Sequence, residues 1–181
     1  MTYKFSIVIP TYLNEDSLFD ILKVLIKNSK YINEIIIIDS SKKNNIKNLI
    51  ESFNNTLIKY NRVKKSFPGK ARNIGVKQIT SEWVAFLDSK TIPNANWLKF
   101  LSNQIKNGYE IIFGSVKYEG ITSFQKNIKA TSYGNLMHIC VPGTAIKKNI
   151  FLENLFLEDV LAGEDIIWKQ QLVRKKYNIK I

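Results

Sequence analysis

Two apolar runs in this chain each end in an aspartate: EIIIID closes on Asp39 and WVAFLD on Asp88. A carboxylate at the end of a buried strand is placed to bind a metal ion or a sugar hydroxyl; singly, it is more often a turn or cap residue. In open parallel sheets, ligands bind beyond the carboxyl ends of the strands, so two such ends together predict a polar crevice. A third run, FSIVI, leads into Pro10, Thr11 and Tyr12 and brings polar groups to the same edge. Two residues after Asp88, where a second acid would complete a clamp, stands Lys90.

Two further clusters carry chemistry. GKARN, Gly69 to Asn73, sets Lys70 and Arg72 near a helix N-terminus, where free amides favour an anion; the alternative is a solvated basic turn. It is not a P-loop, because the first glycine and the Ser/Thr after the lysine are absent, and there is no GxGxxG dinucleotide fingerprint. GED at 163–165 offers Asp165 as a candidate base. The competing reading is a pair of acids suited to a helix start, with Asp165 and Lys169 as an i,i+4 pair. His138 is the only histidine and Cys140 the only cysteine, which leaves no material for a zinc cluster, a histidine triad or an intrachain disulfide. Cys140, between apolar neighbours, reads as a buried inert thiol in a reducing compartment.

Positioning these groups requires alternating strands and helices. Phe5 to Ile9, stopped by Pro10, reads as a buried strand, followed by a helix with Leu18, Ile21, Leu22 and Leu25 at helical spacing. Glu34 to Asp39 is a second strand, residues from about Lys43 to Phe53 a helix, and Leu57 to Tyr60 a third strand. Pro68-Gly69 turns into a short helix, Trp83 to Leu87 is a fourth strand, and Asn96 begins another helix. Glu110 to Phe113 is a further strand; VPGTAIKKNIF reads as a turn, a short strand and a helix start; GEDIIWKQQLVRKKY is a helix, and YNIKI begins a strand. Fully apolar strands alternating with helices predict an α/β fold with a parallel sheet covered on both faces.

The 181 residues suffice for one domain, with 45% hydrophobic content that excludes disorder. The net charge of +12 suits nucleic acid, an anionic membrane surface or a phosphorylated substrate. Nearly all the base is lysine, dispersed along the chain, with arginine only at 62, 72 and 174; nucleic-acid readers favour arginine, so no nucleic-acid partner is expected. MTYKFSIVIP runs directly into a strand, so no signal peptide is expected, and no apolar run approaches the roughly 18 residues of a membrane helix. The expectation is a cytoplasmic protein, soluble or peripheral at the inner face of the membrane.

Taken in order, FSIVIPTYLNEDSL, EIIIIDSS, GKARNIGVKQITSEWVAFLDSKTIPNANWL, VPGTAIKKNIF and GEDIIWKQQL resemble the family 2 glycosyltransferases of GT-A fold. The resemblance covers nearly the whole chain. It implies a Rossmann-type α/β/α sandwich with a mostly parallel central sheet, in a single domain over residues 1–181. Residues up to about 90 would form the nucleotide-binding half and the rest the acceptor-side half, with the natural chain continuing past Ile181. It implies an inverting transfer from a nucleotide-sugar, with a UDP-sugar as first choice, to a glycan or lipid-linked acceptor hydroxyl in polysaccharide synthesis. Pro10, Thr11 and Tyr12 would line the nucleobase pocket, Asp39 would contact base or ribose, and Lys70 and Arg72 would lie near the nucleotide. Gly143 and Thr144 would border the donor sugar, and Asp165 would be the general base. Asp88 matches the first acid of the DXD motif and is its only candidate metal ligand, because the motif reads DSK. Lys90 there either supplies the positive charge in place of manganese or magnesium, or marks a weakened enzyme. The alternatives are a non-catalytic nucleotide-sugar or glycan-binding module on the same fold and a basic nucleic-acid-binding domain.

Overall fold

The computed structural model describes residues 2–120, 122–134 and 136–181, with Tyr133 lacking a described side chain. In chain order the elements are β1 (Phe5–Thr11), α1 (Glu15–Lys27), β2 (Ile32–Asp39), α2 (Asn45–Phe53), β3 (Ile58–Arg62), α3 (Pro68–Gln78) and β4 (Trp83–Phe86). There follow α4 (Trp97–Lys106), β5 (Ile111–Val116), α5 (Ser123–Ile128), β6 (His138–Lys147), α6 (Lys148–Leu152), α7 (Glu164–Val173) and β7 (Ile179–Lys180). The strands form one seven-stranded sheet in the order β3-β2-β1-β4-β6-β5-β7. All neighbours pair in parallel except β6, which runs antiparallel to β4 on one side and β5 on the other.

Alternation along the strands sorts the core into two layers. Ile7, Ile9, Ile35, Ile37 and Ala85 face α1, α2 and α4, meeting Leu18, Leu22, Ile46 and Leu101. Val8, Ile36, Ile38, Val84 and Phe86 face the other way, onto Val76 of α3, Phe151 of α6 and Trp168 of α7. The result is the expected three-layer sandwich. Gly75 brings α3 onto the sheet, since a Cβ there would stand 2.5 Å from Val8 Cγ1.

Three expectations need correction. First, β1 does not stop at Pro10, whose Cα pairs with Ile38, but runs to Thr11. Leu87 N donates to Val8 O at 3.2 Å, so Val8 and Pro10, two residues apart, face the β4 side; β4 ends at Phe86, and the proline's missing N–H falls where no ladder bond is due. Second, VPG is not a turn before a short strand. It is an irregularity inside the ten-residue β6, where Gly143 adopts φ +88° and Pro142 O would clash at 2.1 Å with any Cβ on Gly114. Third, α5, with its capping box at Thr122 and Gln125, lies where no helix is predicted from the sequence.

Candidate functional site

The carboxyl ends of β1, β2 and β4 meet at one edge of the sheet, and each carries a polar network. At the end of β2, Asp39 is wholly buried. Its Oδ1 accepts from the Ser41 amide at 2.8 Å and from the Ser41 hydroxyl, and its Oδ2 accepts from the Tyr60 hydroxyl at 2.7 Å. Arg62 stands 3.8 Å from Asp39 Oδ2 and donates to the Tyr60 hydroxyl at 3.0 Å, to Asn44 Oδ1 and to Lys43 O. Burial, and then the hydrogen bond to Asp39, pushes the Tyr60 phenol above its usual range. Asp39 thus ties the loop after β2 to the end of β3.

The second network centres on Arg72. It is 4% exposed, on the buried face of α3. It donates to Asp88 Oδ1 at 2.6 Å and to Glu164 Oε1 at 3.0 Å, while its guanidinium lies 5.4 Å from the Phe156 ring centre. Its Nε, also buried, has no partner. Beside it Asn73 is wholly buried and clamps the chain before α7, donating to Phe156 O at 2.9 Å and Glu158 Oε1 at 3.1 Å and accepting from Phe156 N at 3.1 Å. Gly69 lets the segment approach, because a Cβ there would stand 2.4 Å from Leu157 O. Arg72 therefore fastens the end of β4 to the start of α7, and Asn73 fixes the segment that leads into α7. Lys70 takes a different direction, with Nζ 3.9 Å from Glu158 Oε2.

At the end of β1, Thr11 is buried and its Oγ1 has no hydrogen-bond partner, while Tyr12 is 53% exposed. Leu13 takes φ +55°, unusual for a side chain of its size, and carries the loop across to β4. Asn14 then donates to Tyr12 O at 2.8 Å and to Ser89 Oγ at 3.1 Å. Asp88 to Thr91 form a turn closed by Thr91 N donating to Asp88 O at 3.0 Å. Lys90 projects from this turn, exposed, and makes no ion pair among the described residues.

Asp165 opens α7 beside Glu164 and accepts from its neighbour's amide, Ile166 N, at 2.9 Å. It lines a cavity of about 170 Å³ between α7 and the β5–β6 pair, together with Lys169, Phe113, Cys140 and Val141. The Cys140 thiol is pushed up to about 11, by burial first and then by the charges of Asp88 and Asp165, with Arg72 and Lys169 opposing them. These four charged groups thus share one electrostatic neighbourhood with the thiol. Gly143 turns its carbonyl to Trp97 Nε1, 2.9 Å away. The Thr144 hydroxyl, wholly buried, accepts from Gly114 N at 2.8 Å and donates to Cys140 O at 2.9 Å, so it serves the β6 irregularity from within.

Of the residues singled out in the sequence, Arg72 and Asp88 are in direct contact and Asp165 adjoins them through Glu164. Pro10, Thr11, Tyr12 and Asp39 lie along the same strand edge; Lys70 and Thr144 direct their side chains to other partners. Glu164 is the participant the sequence reading missed. Its signal was present: Glu164, Trp168 and Leu172 recur every four residues and form the buried stripe of α7. Among the described residues no group of three or more His, Cys, Asp or Glu is arranged to hold a metal ion. Asp88, already bonded to a guanidinium, is a poor start for the several oxygen ligands that a hard divalent cation takes.

A family model described as Glycosyl transferase family 2 matches residues 6–163. An uncharacterized glycosyltransferase of Rickettsia conorii is 30% identical over 179 residues, which cover 90% of this chain and 29% of the relative. The poly(ribitol-phosphate) beta-N-acetylglucosaminyltransferase TarS of Staphylococcus aureus is 32% identical over 101 residues, covering 53% of this chain and 18% of TarS. The crystal structure of S. aureus TarS 1–349 in complex with UDP-GlcNAc shares the fold, with a TM-score of 0.73 and 21% identity over 93% of this chain and 52% of that one. The chain spans under a third of the length of the three Rickettsia relatives, each of which it matches over 90% of its own length.

Proposed function

The chain belongs to glycosyl transferase family 2, and from that premise we propose that it moves a sugar, with inversion, from a nucleotide-sugar donor to an acceptor hydroxyl of a cell-surface glycan. The observation that carries this reading is the bridge Asp88–Arg72–Glu164, buried at Arg72 and Glu164, which ties the strand end on the donor side to the residue beside Asp165. The TarS fold has been captured with UDP-GlcNAc and with UDP, which supports a uridine nucleotide as donor.

In this reading the nucleoside lies along the ends of β1 and β2, over Thr11, Tyr12 and Asp39. The orphaned Thr11 hydroxyl supports that assignment, since a buried hydroxyl without a partner is costly and a ligand would supply one. Asp165 takes the proton from the acceptor hydroxyl as that oxygen attacks the anomeric carbon; the bond to the leaving diphosphate breaks on the opposite face. The leaving group gathers negative charge, and the exposed Lys90, on the turn just past Asp88, supplies a cation to meet it. Where its ammonium reaches the diphosphate, Lys90 also opposes a divalent ion by like-charge repulsion. A glycan or lipid-linked acceptor and peripheral contact with an anionic membrane on its cytoplasmic side fit the charge of +12; no helix among the described residues is long and apolar enough to cross a membrane.

A second reading, a nucleotide-sugar-binding module without turnover, is favoured by the lysine in place of the second acid. One set of measurements separates the two. UDP, GDP, CDP and dTDP are titrated calorimetrically into wild type and Lys90→Asp, in manganese and in EDTA, and turnover of the bound donor sugar is followed in wild type and Asp165→Asn. The enzyme reading expects metal-independent UDP binding in wild type, metal dependence gained by Lys90→Asp, and turnover reduced roughly 10²-fold or more in Asp165→Asn with affinity retained. Binding without turnover supports the module, and binding of none of the four nucleotides to folded protein removes the donor site altogether.

A further inference from the structure

Asp165 and Lys169 stand one turn apart on α7 and line the same cavity, yet they form no ion pair with each other among the described residues. The Lys169 ammonium instead lies 5.9 Å from the centre of the Phe113 ring, on the apolar side of that cavity. Lys169 is thus a half-buried cation beside the candidate base without an anion of its own. A side chain of this length ordinarily reaches for water or for an available carboxylate. Here an apolar wall of Phe113, Ile139 and Val141 flanks it.

We propose that Lys169 is a specificity-determining residue of the acceptor site: it receives a phosphate group that the acceptor carries close to the hydroxyl presented to Asp165. The proposal rests on the reading of Asp165 as general base. Four residues along a helix advance about 6 Å, a separation spanned within a single polyol-phosphate or sugar-phosphate unit. The cavity of about 170 Å³ has the room of roughly five or six waters at ~30 Å³ each. That admits the end of one such unit and leaves the rest of a longer acceptor outside. A compact ammonium suits a phosphate as a point charge, and water is restricted on its apolar side, which strengthens the attraction. Asp165 rejects an anion from its own end of the cavity, so a phosphate is held in one orientation only, with the hydroxyl toward the carboxylate. A neutral acceptor would leave Lys169 unpaired beside Phe113.

Cys140 supplies the test. It is the only cysteine, it lines this cavity and it is half-buried, so its alkylation by N-ethylmaleimide reports occupancy without any catalytic readout. The rate is followed by intact-mass spectrometry with increasing glycerol 3-phosphate, glycerol or inorganic phosphate. The expected result is half-protection by glycerol 3-phosphate at a concentration at least tenfold below that of either other probe. Lys169→Gln removes that preference, Lys169→Arg restores it, and both variants keep the wild-type affinity for UDP. Equal protection by glycerol in wild type overturns the proposal, as does a preference that survives in Lys169→Gln. Equal protection by inorganic phosphate also overturns it, because the cavity would then read charge alone. A loss of UDP affinity in Lys169→Gln overturns it too and moves the lysine to the donor site. Failure of the general-base reading shows separately, as turnover that Asp165→Asn leaves unchanged.

Discussion

Replacing Arg72 by leucine isolates the contribution of the Asp88–Arg72–Glu164 bridge. The change removes both charge-assisted hydrogen bonds while keeping an apolar side chain over Phe156. The two arms are not equal. The Asp88 side chain is 40% exposed and can rehydrate, so its arm contributes at most about 1 kcal/mol, as for exposed pairs. The Glu164 side chain is 8% exposed and would be stranded as a buried charge, for which the loss of one partner costs ~3–5 kcal/mol. Its place at the start of α7 offsets ~0.3–1 kcal/mol of that through the helix dipole. The net expectation is about 3 kcal/mol, or a fall in melting temperature of roughly 6–12 °C for a chain of this size. Urea unfolding at neutral pH measures it. The decisive comparison is the double variant Arg72→Leu/Glu164→Leu, which removes the stranded charge and should be more stable than Arg72→Leu alone by roughly 1–2 kcal/mol. A loss below about 1 kcal/mol in the single variant, or strictly additive losses in the double, would refute the reasoning that Glu164 depends on Arg72 for compensation.

Other perturbations give distinct outcomes. Burial alone would raise the Glu34 carboxyl, but hydrogen bonds from Lys59, Ser6 and Thr80 outweigh it and bring it down to about 2. Because the folded value is depressed, this stability is present above the ordinary 4.5 and lost as pH falls from there toward 2; acid titrations followed by circular dichroism should show Glu34→Gln losing on the order of 3 kcal/mol at pH 7 and little at pH 2. Gly75→Ala places a methyl 2.5 Å from Val8 Cγ1 and should cost about 1–3 kcal/mol by overpacking, read as an earlier denaturation midpoint with unchanged slope. Asn73→Ala leaves the Phe156 amide and carbonyl unpaired and should loosen residues 153–165 selectively, seen as faster amide exchange there than in β1 or β2.

The sheet's parallel half was readable because its strands are buried on both faces and announce themselves as unbroken apolar runs, as in FSIVI and EIIIID. β6 was not, since HICVPGTAIK contains a proline, a glycine and a histidine and resembles a turn; its pairing comes from β4 and β5 on either side, which is tertiary information. The residue types of the site were legible at strand ends and helix starts. Their partners were not: Arg72 meets Glu164 and Asn73 meets Phe156 across 92 and 83 positions of chain. Within GED the period of α7 could have separated the buried glutamate from the cavity-facing aspartate, had Trp168 and Leu172 been used to set the phase.

The insertion of β6 between β4 and β5 has a consequence for how the chain is made. During translation β4 leaves the ribosome with WVAF complete, but the strand that covers its outer edge comes only after α4, β5 and α5. β5 emerges sooner and has no place at that edge; it can join the sheet only through β6. At the usual ~5–20 residues per second the apolar edge therefore stays open for several seconds of synthesis. In that interval the nascent chain is exposed to strand addition by another copy, and a chaperone that masks residues 83–86 would guard the step.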